Sequence, residues 1–204
     1  MPPNQKENMK LYVPTFEPIG HIYQNDHGDV LKSVTTILKD ELGLYQWKGT
    51  MTKATRGTNI HLACQFFDEK DIDEKALDTD IRENLGQYKK ALAENDIVVE
   101  ANELMRYHPE LGYAGMVDKV AKVKGARSII DIKSGKEEVW HRWQTAAYMG
   151  MLKKELGELD RYCLYLTNDS YKLVMHPSQM DWSEWTILLA AHNIRARANY
   201  LPKK

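Results

Sequence analysis

By type and spacing, Asp118, Asp131 and Lys133 are the residues of this chain best suited to chemistry. The two carboxylates lie thirteen positions apart, and the second is followed by one Ile and then a lysine. Two acids aimed at one point in a half-buried sheet are costly unless something neutralises them. Mg²⁺ would do so: it takes hard oxygen ligands, keeps several waters and accepts phosphate oxygens in its remaining positions. A neighbouring lysine can orient or help deprotonate an attacking water, or as an ammonium stabilise charge developing on a phosphate. Metal-assisted hydrolysis of a phosphodiester is the chemistry these types suit.

Such a site needs elements that aim the three side chains together. Residues 116–123 and 128–133 are short and rich in β-branched residues, and Lys124-Gly125-Ala126-Arg127 between them signals a hairpin. With Gly125-Ala126 as the turn, Asp118 falls opposite Lys133 and Asp131 opposite Val120. All three polar groups then share a face, with Asp118 and Asp131 as diagonal neighbours roughly 7–8 Å apart. A slip of one residue would turn one strand over and dissolve the site. Residues 138–156 read as a helix in which His141, Gln144, Thr145 and Tyr148 share one face by their i, i+3, i+4, i+7 spacing. That face overlooks the hairpin, where Gln144 can orient Lys133 or a phosphate and Tyr148 can touch a sugar-phosphate backbone.

The rest of the chain supplies the frame. Its 204 residues, with 28 Lys+Arg against 29 Asp+Glu, suit a flexible N-terminal arm over 1–17 and a single domain over 18–204. A small hairpin is expected around Asn25-Asp26-His27-Gly28, with His21 and His27 in turn and surface roles, and a capped helix start follows at Ser33. Residues 50–67 read as a helix with Ile60, Ala63, Cys64 and Phe67 on one stripe and His61 at its edge. Gly57 inside that helix costs about 1 kcal/mol against Ala and hints at a close neighbour. The acidic run from Asp68 to Glu74 reads as a solvated loop and helix start, within a charged helical stretch over 71–95. Residues 97–107 resume strand character and carry Glu103, either a third carboxylate for the site or an exposed strand residue. A second hairpin around Asn168-Asp169-Ser170 and a closing amphipathic helix over 181–200 complete the chain, with Arg195, Arg197, Lys203 and Lys204 as a modest basic cluster.

Several function classes are disfavoured. Cys64 and Cys163 stand alone, so zinc or iron–sulfur ligation by cysteines is not expected and a reducing compartment fits. No secretory signal or transmembrane run is visible. Nothing matches a phosphate-binding loop, a serine-hydrolase elbow or a zincin helix. A nucleotide cofactor and a membrane partner are therefore not expected.

Taken in order, Arg56-Gly57-Thr58-Asn59-Ile60-His61, Glu103, the Gly112–Asp118 segment, Asp131-Ile132-Lys133, and Gln144 with Tyr148 resemble the PD-(D/E)xK nuclease superfamily in its RecB-like exonuclease branch. Ser33-Val34-Thr35, Trp47 and the Gly-Thr-x-x-His helix are most similar to phage RecB-type and mitochondrial genome maintenance exonucleases. The resemblance implies an α/β fold with a restriction-endonuclease-like core, a mixed sheet flanked by helices in the order αβββαβ. It implies Mg²⁺ (or Mn²⁺) held by Asp118, Asp131, the main-chain carbonyl of Ile132 and His61. Lys133 would be the catalytic lysine, with Gln144, Tyr148 and Glu103 also in the catalytic set, and Arg56, Thr58, His141, Gln144 and Tyr148 would meet DNA. The implied activity is a metal-dependent exonuclease acting on single-stranded or duplex DNA ends in recombination, repair or phage DNA processing. The alternatives are a catalytically inactive nucleic-acid-end-binding module and a structure-specific endonuclease of the same fold. The setting implied is the cytoplasm of a bacterial or phage-infected cell, with a recombinase or single-strand-binding protein as the kind of partner. Asp131 stands where Glu is commoner, and the cysteine cluster of iron–sulfur relatives is missing.

Overall fold

The protein is described here by a computed structural model, which covers residues 11–17, 22–44 and 51–199. Residues 1–10 and 18–21, which include His21, together with Trp47, Lys203 and Lys204, lie outside the described residues.

A mixed sheet runs through the molecule with helices packed on both faces. Its strands are β1 (Thr15–Glu17), β2 (Ile22–Gln24), β3 (Val30–Ser33), β4 (Ile97–His108), β5 (Tyr113–Val123), β6 (Ala126–Lys133), β7 (Asp160–Leu166) and β8 (Tyr171–Met175). The helices are α1 (Val34–Leu42), α2 (Met51–Asp68), α3 (Thr79–Glu94), α4 (His141–Leu156) and α5 (Met180–Asn199). The run α3-β4-β5-β6-α4-β7 is the expected αβββαβ order. The strands stand in the order β1-β2-β3-β5-β6-β7-β8, with β4 on the other edge of β5. Pairing is parallel for β3–β5 and β6–β7 and antiparallel elsewhere.

Two cores sandwich the sheet. Ile129 joins Val34, Ile37, Tyr148, Leu152 and Trp185 on the α1, α4, α5 side. Ile130 and Ile132 join Ile60, Leu85, Tyr88 and Leu164 on the α2, α3 side. A strand apolar on both faces, as β6 is, belongs in the middle of a covered sheet.

Several expectations are adjusted. The end of the expected arm is docked: Thr15–Glu17 pairs with β2, and the Tyr107 N–H donates to the Tyr12 carbonyl at 2.9 Å. The charged stretch over 71–95 divides into a short 3₁₀ turn, Glu74–Ala76, and α3. Helix α4 begins at His141 rather than at 138. Ser33 caps α1 as expected, accepting the Thr36 N–H at 3.0 Å. Gly57 does have a close neighbour, because a Cβ there would stand 3.2 Å from Ser134 Oγ.

The central hairpin is present with a shifted register. Its turn is Lys124-Gly125, both at positive φ (50° and 84°), as a two-residue turn of the favoured twist demands. Val123 therefore faces Ala126, and Lys119 faces Ile130. Extending that register one step sets Asp118 across from Asp131, in place of the expected opposition to Lys133. The offset is an even number of residues, so the side-chain faces survive.

Beta-strand pairing breaks off at this row. Along one edge of β5, Tyr113 and Ala114 pair with β3, and Lys119 to Val123 pair with β6. Among the described residues, 115–118 have no ladder partner on that edge. Val117 and Val120, three apart, sit in the same core cluster, so the alternation of β5 slips at Asp118. Across the other edge Glu103 lies between the pairs Asn102↔Lys119 and Leu104↔Val117, in a left-handed conformation with φ 48°. The register of β4 shifts between Val99 and Ala101 just before it.

Candidate functional site

Glu103, Asp118 and Asp131 stand on three adjacent strands in one row where the ladders fail. The Asp118 carboxylate fills part of the gap, its Oδ2 accepting the Ile132 N–H at 2.7 Å. A side chain thus takes the bond that a neighbouring strand would have made. From α2, His61 Nδ1 reaches the same oxygen at 3.4 Å.

His61, Glu103 and Asp118 each offer one ligand atom, all within 4.8 Å of one another. Burial, with the Asp118 carboxylate beside it, pushes the Glu103 carboxyl up to about 7. That destabilised negative charge is what a bound cation would relieve. One imidazole nitrogen and two carboxylates also form a donor set that a divalent metal accepts. The residues fit the implied ion.

Asp131 is 2% exposed, and its Oδ2 lies 2.6 Å from Lys133 Nζ, while Glu103 joins His61 and Asp118 in the close donor group. Burial pushes the Asp131 carboxyl up, against the pull of Lys133. For Lys133 burial opposes the charge, but the carboxylates of Asp131 and Asp118 outweigh it and hold the group protonated. Lys133 also donates to Gln144 Oε1 at 2.8 Å, and Gln144 Nε2 donates to the Tyr148 hydroxyl at 2.9 Å. The α4 face therefore fixes the lysine from above. Trp140, which the sequence reading left aside, places its ring 5.4 Å from the same ammonium.

Two residues expected at DNA are committed elsewhere. Arg56 makes a bidentate pair with Asp80, at 2.6 and 2.9 Å, and reaches Asn168 at 3.0 Å, so it clamps α2 to α3 and to the β7–β8 turn. His141 is 4% exposed. Its Nδ1 accepts the Glu138 N–H at 3.3 Å and meets the Tyr165 hydroxyl at 2.8 Å, which makes it a wall residue. Gln144 and Tyr148 are buried too, facing Lys133. Thr58 does line an open cleft of about 290 Å³ with Gly57, His61, Leu62, Gln65 and Glu103, directly beside the donor group.

The sequence reading also missed what lies behind the row. Asp68, read as part of a solvated run, is buried against Lys119 at 2.7 Å and accepts from the Tyr88 hydroxyl at 2.8 Å. Its place seven residues after His61 was the available signal, since that spacing shares a helix face. Its strand partner was not legible.

No protein-family model matches the chain, and no curated protein matches it. Solved structures do. A protein from Eubacterium rectale assigned as an exonuclease aligns at 11% identity with a TM-score of 0.50, over 82% of this chain and 81% of its own. An alkaline exonuclease from Laribacter hongkongensis aligns at 14% identity with a TM-score of 0.48, over 83% of this chain and 89% of its own. At such identities the likeness is one of fold, that of a mixed sheet flanked by helices.

Proposed function

We propose that the protein is a metal-dependent nuclease, and more narrowly an exonuclease that hydrolyses phosphodiester bonds from DNA ends. The observation that carries this reading is the gathering of His61, Glu103 and Asp118 beside the Asp131–Lys133 pair, at the mouth of a cleft. The fold likeness to a protein assigned as an exonuclease is consistent with it.

In this reading His61, Glu103 and Asp118 hold Mg²⁺ or Mn²⁺, with Asp131 and the Ile132 carbonyl as further ligands. The ion, when bound, supplies positive charge that polarises a phosphoryl oxygen and acidifies water. Everything else falls to the chain. Lys133, held as an ammonium, donates to the attacking water or to a phosphate oxygen and stabilises charge in the transition state. Gln144 and Tyr148 keep that ammonium aimed, and Trp140 covers it. Thr58 and the α2 edge of the cleft meet the strand being cut. Mg²⁺ as the resident ion, a place in recombination, repair or phage DNA processing, a recombinase or single-strand-binding partner, and the cytoplasm belong to the same proposal. No helix among the described residues is long and apolar enough to cross a membrane.

The test is a time course on linear DNA labelled at either end and on closed circular single strands, with Mg²⁺ or with EDTA. Loss of label from linear DNA in Mg²⁺ alone, with circles intact, is the expected result. Cut circles would redirect the reading to an endonuclease, and binding without cleavage to an end-binding module.

A further inference from the structure

We propose that Lys119 is a positioning residue for the metal centre, one ammonium that ties together the three elements from which His61, Glu103 and Asp118 project. The proposal rests on the reading of those three as metal donors. Lys119 follows Asp118 in β5. Its Nζ donates to Asn102 Oδ1 at 2.6 Å, and Asn102 precedes Glu103 in β4. It also donates to Asp68 Oδ2 at 2.7 Å, and Asp68 stands two helical turns beyond His61 on α2. Each donor is thus matched by a neighbour on its own element, and those neighbours meet at one nitrogen.

The side chains are sealed: Lys119 is 1% exposed and Asp68 5%. An ammonium has three donor hydrogens. Two are used by Asp68 and Asn102, and the Tyr88 ring lies 5.5 Å from the nitrogen. Tyr88 in turn donates to Asp68. A buried ion pair is a weak source of stability, because a well-packed apolar pair of similar volume holds a core as well. What apolar residues cannot do is fix three backbones by directed bonds. The need is sharpest at β4, where Glu103 takes a left-handed conformation at a break in the ladder. Anchoring Asn102 fixes the peptide that leads into that turn and so the direction of the Glu103 carboxylate. Outer groups that orient metal ligands typically affect affinity by about 10–100-fold.

The experiment is calorimetric titration of Mn²⁺ into the full chain and its variants, with folding monitored by circular dichroism. The paired substitution Asp68→Leu/Lys119→Met removes both charges together, and Asn102→Ala removes one bond and leaves the ion pair. Leu189→Ala, in the opposite core, controls for general loosening. We expect Mn²⁺ binding about 10-fold weaker or worse in the first two variants while folded, and unchanged in the Leu189→Ala control. Wild-type affinity in either folded variant overturns the proposal, as does an equal loss in the control. Should the paired variant fail to fold, Asn102→Ala alone decides. A wild-type chain that binds no Mn²⁺, or whose binding survives His61→Ala with Glu103→Gln, overturns the donor reading and the proposal with it.

Discussion

Asp131 Oδ2 and Lys133 Nζ stand 2.6 Å apart on one strand, with the Asp131 side chain 3% exposed. A pair this deep is easily broken to misleading effect. Removing one partner leaves a buried charge and costs about 3–5 kcal/mol. Asp131→Asn keeps the shape and a hydrogen-bonding oxygen, so it separates chemistry from folding. We expect Asp131→Asn and Lys133→Met each to lower the rate of cleavage of end-labelled DNA by about 10²–10⁴-fold with the circular dichroism spectrum retained. A folded variant cutting at the wild-type rate would remove this pair from the mechanism.

Gly115 gives way to the Tyr148 ring: a Cβ there would stand 2.9 Å from Cε1 and 3.2 Å from Met151 Cε. Gly115→Ala should push Tyr148 away from Gln144 and so loosen Lys133. Overpacking of this kind costs about 1–3 kcal/mol. The expected signature is a lowered kcat with little change in Mn²⁺ affinity, since His61, Glu103 and Asp118 are untouched. Kinetics and calorimetry on the same preparation check it, and an unchanged kcat counts against a role for Tyr148.

His141 sets a pH limit on stability. Burial, helped by the nearby charge of Lys133, lowers its pKa from 6.5 to about 4. The folded pKa is depressed, so the unfolded chain takes up the proton first. Stability is complete above about 6.5 and is lost as pH falls from there toward 4, by about 3 kcal/mol at the limit. Protonation would also remove the Nδ1 lone pair that accepts the Glu138 N–H. Urea unfolding between pH 4 and 7.5 should show this slope in the wild type and a flatter one in His141→Gln. Parallel curves would assign the acid sensitivity elsewhere.

The Asp68–Lys119 pair makes a non-additive prediction. Lys119→Met alone should destabilise the fold by about 3–5 kcal/mol, because Asp68 stays buried without its cation. The paired change Asp68→Leu/Lys119→Met should recover most of that loss. Denaturant midpoints of the single and paired variants give the coupling, and simple addition of their effects would mean that the two charges do not act together.

Much of this arrangement was readable because local rules agreed. Short runs rich in β-branched residues on either side of Lys124-Gly125-Ala126-Arg127 marked the hairpin, and the misplaced turn shifted the register by an even number of residues. The i, i+3, i+4, i+7 pattern placed Gln144 and Tyr148 over Lys133, and Gly57 announced the contact with Ser134. The rest depended on distant partners. Nothing near Glu103 tells that its strand shifts register and takes a left-handed turn there, which is what brings this acid beside Asp118. Arg56 looks like a phosphate ligand until Asp80 and Asn168 are seen around it. Asp68 reads as part of a solvated acidic run, and only the fold reveals that it meets Lys119.

The interrupted edge of β5 has a mechanical meaning. Among the described residues, strands β3 and β6 flank that edge without pairing to each other, so in the plane of the sheet β5 joins the group β1–β3 to the group β6–β8. The candidate site lies on the suture between them. A twist of one half against the other would be felt first by Asp118, whose carboxylate stitches across to Ile132.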